Sequence, residues 1–154
     1  MIPGSLTFLL NEVLHGTAMG AEGTCFVQGD EALIQTLKDL TAQEASIIPA
    51  PGTTSIAAHL IHTNYYLWIT LEAMKGTEPK GDWPGSWAKT TVNEQEFQAE
   101  IAKLETQVKE FISLLPNVNW EEDWNLINGI ANIGHAAYHL GAIRQLYCII
   151  KAKA

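Results

Sequence analysis

His135 and His139 stand four residues apart in GHAAYHLGAIRQLY, residues 134–147, a stretch patterned as a helix. At about 3.6 residues per turn their side chains point the same way, about 40° apart. That spacing lets two imidazoles hold one metal ion. A second pair, His59 and His62, lies in SIAAHLIHTNYYL. One ligand from there would complete a three-histidine site between two helices. Three neutral imidazoles would leave a divalent ion its full charge and open positions for water or a thiol.

Helices must present these side chains. Residues 4–15 read as a short helix, broken by Gly16, Gly20 and Gly23. TCFVQGD reads as a brief extended turn. DEALIQTLKDL, residues 30–40, reads as a helix with Asp30 as N-cap, and Thr41 with Glu44 matches a capping box. A long helix, helix two of the bundle, is expected from Thr53 or Thr54 to Lys75, stopped by Gly76, with Ile56, Leu60, Leu67, Leu71 and Met74 as its apolar stripe. The loop GTEPKGDWPGSWAKT has too many glycines and prolines for helix or strand. A helix from Asn93 to Leu115 shows a clean period in Phe97, Ile101, Leu104, Val108 and Phe111. The last helix, from about Trp120 to Ile150, is apolar nearly all round and is expected to be the most buried. No segment alternates as a strand over more than about four residues. The expected fold is one all-α domain over residues 1–154: a four-helix bundle with a short extra helix and an irregular Gly-rich segment near its start.

On the last helix, His135 and His139 share a stripe with Asn128, Asn132, Ala142, Leu146 and Ile149. Its apolar end must face the core, so the imidazoles face it too and need partners. A metal is one solution; hydrogen bonds to Asn132 or to tyrosines are another. The helix-two ligand stays open on geometry. His59 and His62 lie about 60° apart, with His59 nearer the centre of the apolar face.

Other groups have blander readings. Tyr65, Tyr66 and Tyr138 neighbour the histidines; one could offer a hydroxyl to a metal-bound ligand, or all could simply pack. Trp83 and Trp87 either staple their loop to the bundle or wall a pocket, the staple being favoured. Arg144 is expected to pair with Glu72 or Glu100. Cys148 lies about 180° around the helix from His139, facing away as a small core residue, and Cys25 sits in a loop with nothing to activate it. His15 reads as a surface or capping residue. Ser86 and Ser113 lack a G-x-S-x-G setting, and there is no H-E-x-x-H or phosphate loop.

Composition narrows the class. Hydrophobic residues at 47% against 17% charged argue for a folded domain. A net charge of −8 argues against nucleic acid or an anionic membrane as partner. Two cysteines make no disulfide framework, and LTFLL is too short for a signal peptide. The last helix is interrupted by polar residues and is not a membrane span. A cytoplasmic setting is expected. Surplus apolar surface on the last helix, with Trp68 and Ile61 off the main stripe of helix two, points to a homodimer.

With S-I-x-x-H-x-x-H opening helix two and G-H-x-x-Y-H-L-G-x-I-R-Q in the last helix, residues 30–150 resemble the DinB-like superfamily of metal-binding four-helix bundles. In that family the first ligand commonly lies seven residues after the serine or threonine opening the helix. From Ser55 that register selects His62, and the other two ligands match His135 and His139. The resemblance implies a divalent metal, nickel or zinc, and thiol-dependent transferase or isomerase chemistry with a low-molecular-weight thiol beside a small-molecule substrate. His59, Tyr66, Tyr138 and Asn132 would be pocket-lining or supporting groups. One departure is Ala142, where the family frequently has Gln. The alternative is a metal- or ligand-binding dimeric bundle without turnover, a stress-associated sensor or scaffold. It is favoured by the lack of Asp, Glu or Cys on the metal-facing stripes.

Overall fold

The computed structural model describes residues 1–17, 24–27 and 31–152. Its helices are α1 Ile2–His15, α2 Leu33–Lys38, α3 Ala42–Ala45, α4 Ile56–Met74, α5 Glu94–Leu114 and α6 Asp123–Lys151. Short 3-10 turns follow at Gly85–Trp87 and Leu115–Asn117, and there is no strand among the described residues. The four long helices form the bundle. α4 packs on both α5 and α6, and α1 packs on α6, with α2 wedged between α1 and α6.

Local chemistry sets the helix ends. Ser55 caps α4 by accepting from the Ala58 N–H, and Asn93 caps α5 in a reciprocal capping box with Glu96. The Thr41–Glu44 box opens α3. α4 stops at Lys75, where Gly76 takes φ 82, a left-handed conformation glycine adopts without strain. Inside, Phe97 and Phe111 of α5 meet Ile56, Leu60 and Leu71 of α4 and Ile143 of α6 in one continuous apolar core.

Glu12 of α1 is a buried exception. Its Oε1 accepts the backbone N–H groups of Cys25, Phe26 and Val27 at 2.7, 2.6 and 3.2 Å. Three convergent donors replace the hydration of Oε1 and tie the chain at 25–27 onto α1, while the buried Oε2 has no hydrogen-bond partner among the described residues.

Several expectations are corrected. α6 is not the most buried helix: 9 of its 29 residues are buried, against 10 of 19 in α4. Trp124, Ile127, Ile130, Tyr138 and Ile149 of α6 are exposed. Cys148 does face away from the histidines but into solvent, so it is no core residue. Arg144 pairs with neither Glu72 nor Glu100; its Nη2 meets Glu31 at 2.9 Å, because α2 rather than α4 or α5 borders that face of α6. α2 starts at Leu33 with Ala32 at its cap position, shorter than the 30–40 expected. Asp30, Gly20 and Gly23 lie outside the described residues. No described helix is long and apolar enough to cross a membrane.

Candidate metal centre

α4 and α6 pack so that all four histidines of the two helices converge. Ring centroids of His62 lie 5.2 Å from those of both His135 and His139, which are 4.4 Å from each other; His59 lies 5.1 Å from His139. One ring nitrogen each from His62, His135 and His139 can be chosen so that all three lie within 4.8 Å of one another. Among the described residues this is the one set of three or more His, Cys, Asp or Glu side chains with that property.

The hydrogen bonds say which nitrogens are available. Ser86 Oγ donates to the Trp83 carbonyl at 2.7 Å, so it accepts from His62 Nδ1–H, also at 2.7 Å. His62 Nε2 is then bare and able to ligate. Nε2 of His139 and Nε2 of His135 stand 3.2 Å apart. Two nitrogens each about 2.0–2.1 Å from one zinc ion, at ordinary coordination angles, would be separated by roughly that much. The other face of His139 is also occupied: its Nδ1 lies 2.9 Å from His59 Nδ1. With His139 Nε2 turned to an ion, its Nδ1–H donates to His59, which orients the ring.

Electrostatics favour the ligand form. Burial first, and His62 second, push His135 down to about 4. His139 is depressed further, by burial and then by His135, His59 and His62. Burial also lowers His59 and His62. All four are therefore neutral at pH 7, with lone pairs to offer. This donor set fits a divalent ion.

Aromatic rings close the site. Trp87 stacks on His62 with centroids 3.9 Å apart and stands edge-on to His59 at 5.3 Å. Tyr66 stacks on His135 at 3.8 Å, and burial raises its pKa, so the phenol keeps its proton. Trp83 lies against Tyr65 and Tyr66. The two tryptophans thus wall the histidines as well as seating their loop. Tyr65 is committed to that loop, its hydroxyl accepting the Asp82 N–H. Tyr138 is exposed, with its ring edge-on to His139 at 5.1 Å. Asn132 is buried one turn before His135 and donates to the Asn128 carbonyl at 2.8 Å.

The model of the DinB superfamily matches residues 26–143, most of the chain and all four histidines. The chain belongs to the DinB superfamily. Neither a curated protein nor a solved structure matches it. The three-histidine cluster of this DinB-superfamily bundle is compatible with metal binding.

In the sequence Ser86 stands out only as a serine without a G-x-S-x-G setting. Its position against His62 depends on how the loop 76–92 folds back over α4, and no local pattern encodes that contact. The one available signal was the pair of tryptophans flanking it, too apolar for an idle loop.

Proposed function

We propose that this DinB-superfamily chain is a divalent-metal enzyme in which His62, His135 and His139 hold nickel or zinc. Its reaction is transfer or isomerisation with a low-molecular-weight thiol as co-substrate. The supporting observation is the convergence of three neutral imidazole nitrogens within 4.8 Å. When bound, the ion supplies Lewis acidity that lowers the pKa of a thiol or water at its open positions.

The chain's own residues have separate tasks. Ser86 and His59 orient His62 and His139 through their Nδ1 atoms. Trp87 and Tyr66 cover the imidazole faces and exclude water. The Tyr66 Oη–H is a proton donor held protonated by burial. We further propose that the chain works as a homodimer in the cytoplasm.

Protein purified without a histidine tag should contain about one divalent ion per chain, or take one up from nickel or zinc. Cobalt- or nickel-loaded protein should gain a sulfur-to-metal charge-transfer band when titrated with biological thiols. A chain that stays empty with both metals refutes the site; a loaded chain with no spectral response to thiols refutes the thiol chemistry. One observation favours a second reading, a non-catalytic metal- or ligand-binding dimeric bundle. The ligand cluster contains no carboxylate or thiol to act as a general base. Thiol binding without turnover of any electrophile would support that reading.

A further inference from the structure

Beside the histidines lies a cavity of about 580 Å³, between α4, the end of α5, the Leu115–Trp120 connection and the first turns of α6. That volume is in the range of small-molecule sites. Tyr66 and Trp83 line it and also lie against His135 and His62, so the cavity and the histidine cluster share a wall. None of its seventeen lining residues is charged, in a chain of net charge −8. Trp120 and Trp124 wall the far end. Trp120 is anchored there, its Nε1–H donating to the Leu115 carbonyl at 3.0 Å. The polar side-chain groups in the lining are all neutral: asparagine amides, the Thr70 and Tyr66 hydroxyls and tryptophan N–H groups. The Asn128 carboxamide makes no hydrogen bond to a described residue, so its donors and acceptor remain for a ligand.

We infer that this cavity binds an uncharged, flat, largely apolar molecule that hydrogen-bonds through Asn128. Tyr66, stacked on His135, forms the wall between this cavity and the histidines. An anion inside would lose hydration with no cationic side chain to replace it, and a cation would do so with no carboxylate. A neutral ring system loses only apolar hydration, which is favourable. Asn128 lies seven residues before His135 on α6, about 10 Å along the axis, which is about the length of a two-ring molecule. That this ligand is the enzyme's second substrate rests on the proposed function; that it binds does not.

The test uses N-phenyl-1-naphthylamine, a neutral fluorophore, displaced by three compounds on one skeleton: 1-naphthalenemethanol, 1-naphthoate and 1-naphthylmethylammonium. The neutral alcohol should displace the dye about tenfold or more better than either ion. Trp124→Ala should weaken dye binding several-fold, while Ile149→Ala, which removes an exposed apolar group elsewhere on α6, should leave it unchanged. His135→Ala should lose metal yet still bind the dye, so failure of the metal site and failure of the cavity read out separately. Equal or better displacement by either ion would overturn the inference. So would dye binding that is insensitive to Trp124→Ala or abolished by Ile149→Ala.

Discussion

His59 and His62 sit one turn apart, equally buried, yet their nitrogens have different partners. His62 Nδ1 is taken by Ser86, which leaves its Nε2 to ligate; His59 Nδ1 is taken by His139. His62→Ala should therefore empty the site, since two histidines do not close it. His59→Ala and Ser86→Ala should keep the ion with about 10–100-fold weaker affinity, the usual effect of losing a group that orients a ligand. Competitive chelator titration measures all three, and the reverse order for the two histidine variants would show that His59 is the ligand. Metal-free protein should also respond to acid. Burial lowers His135 from 6.5 to about 4, so between those values the unfolded chain binds more protons than the folded one. Stability contributed by this group is complete above about pH 6.5 and is lost as pH falls toward 4. The Tm of chelator-treated protein should drop from pH 7 to pH 5, and a flat profile would contradict buried neutral imidazoles.

At the scale of elements, the loop between α4 and α5 decides whether the histidines are covered. Asp82 Oδ1 accepts the Gly85 N–H at 3.0 Å, and the Ser86 N–H bonds to the Asp82 carbonyl, making the turn that delivers Ser86 and Trp87. A Cβ on Gly85 would meet the Asp82 carboxylate at 2.1 Å, so Gly85→Ala must push Asp82 aside and loosen the turn. The helices do not depend on it. Global stability should fall by only about 1 kcal/mol, the scale of one lost hydrogen bond. Metal affinity should fall with it, and tryptophan emission should shift red as Trp87 leaves His62. Unfolding in urea and emission spectra separate the two effects; unchanged emission would mean that the turn tolerates the methyl group.

The whole molecule exposes an apolar face along α6: Trp124, Ile127, Ile130 and Tyr138. Gly134 and Gly141 lie in the same helix with open space where a Cβ would be. An antiparallel α6 pair centred on Gly134 would set Ile130 opposite Tyr138 and Ile127 opposite Gly141, so the face is complementary to itself. Light scattering should find a dimer at micromolar concentration. Ile130→Glu places a carboxylate opposite the Tyr138 ring of the second copy, with no cation to pair it, and should yield a folded monomer with its metal site intact. A wild-type monomer would refute the homodimer.

Helix limits, caps and the shared face of His135 and His139 were legible in the sequence because each depends on neighbours within about one turn. The Thr41–Glu44 box, Asn93 at the start of α5 and the period of Phe97, Ile101 and Leu104 are signals of that kind, although α4 begins at Ile56 and α6 at Asp123, two or three residues later than expected from Thr53 or Thr54 and from Trp120. So was family membership: the opening of α4 and the histidine motif of α6 carried the resemblance, and the family model matches residues 26–143. Tertiary structure alone decided which nitrogens are free, because the choice turns on Ser86, 24 residues from His62, and on a pair of histidines 80 residues apart. It alone brought Glu31 rather than Glu72 or Glu100 to Arg144, across 113 residues. Hydrophobicity along α6 could not say which side is core, since apolar residues surround the helix. Only the placement of α1, α2 and α4 against it divides that surface into a buried half and an open one, and puts Cys148 on the open side.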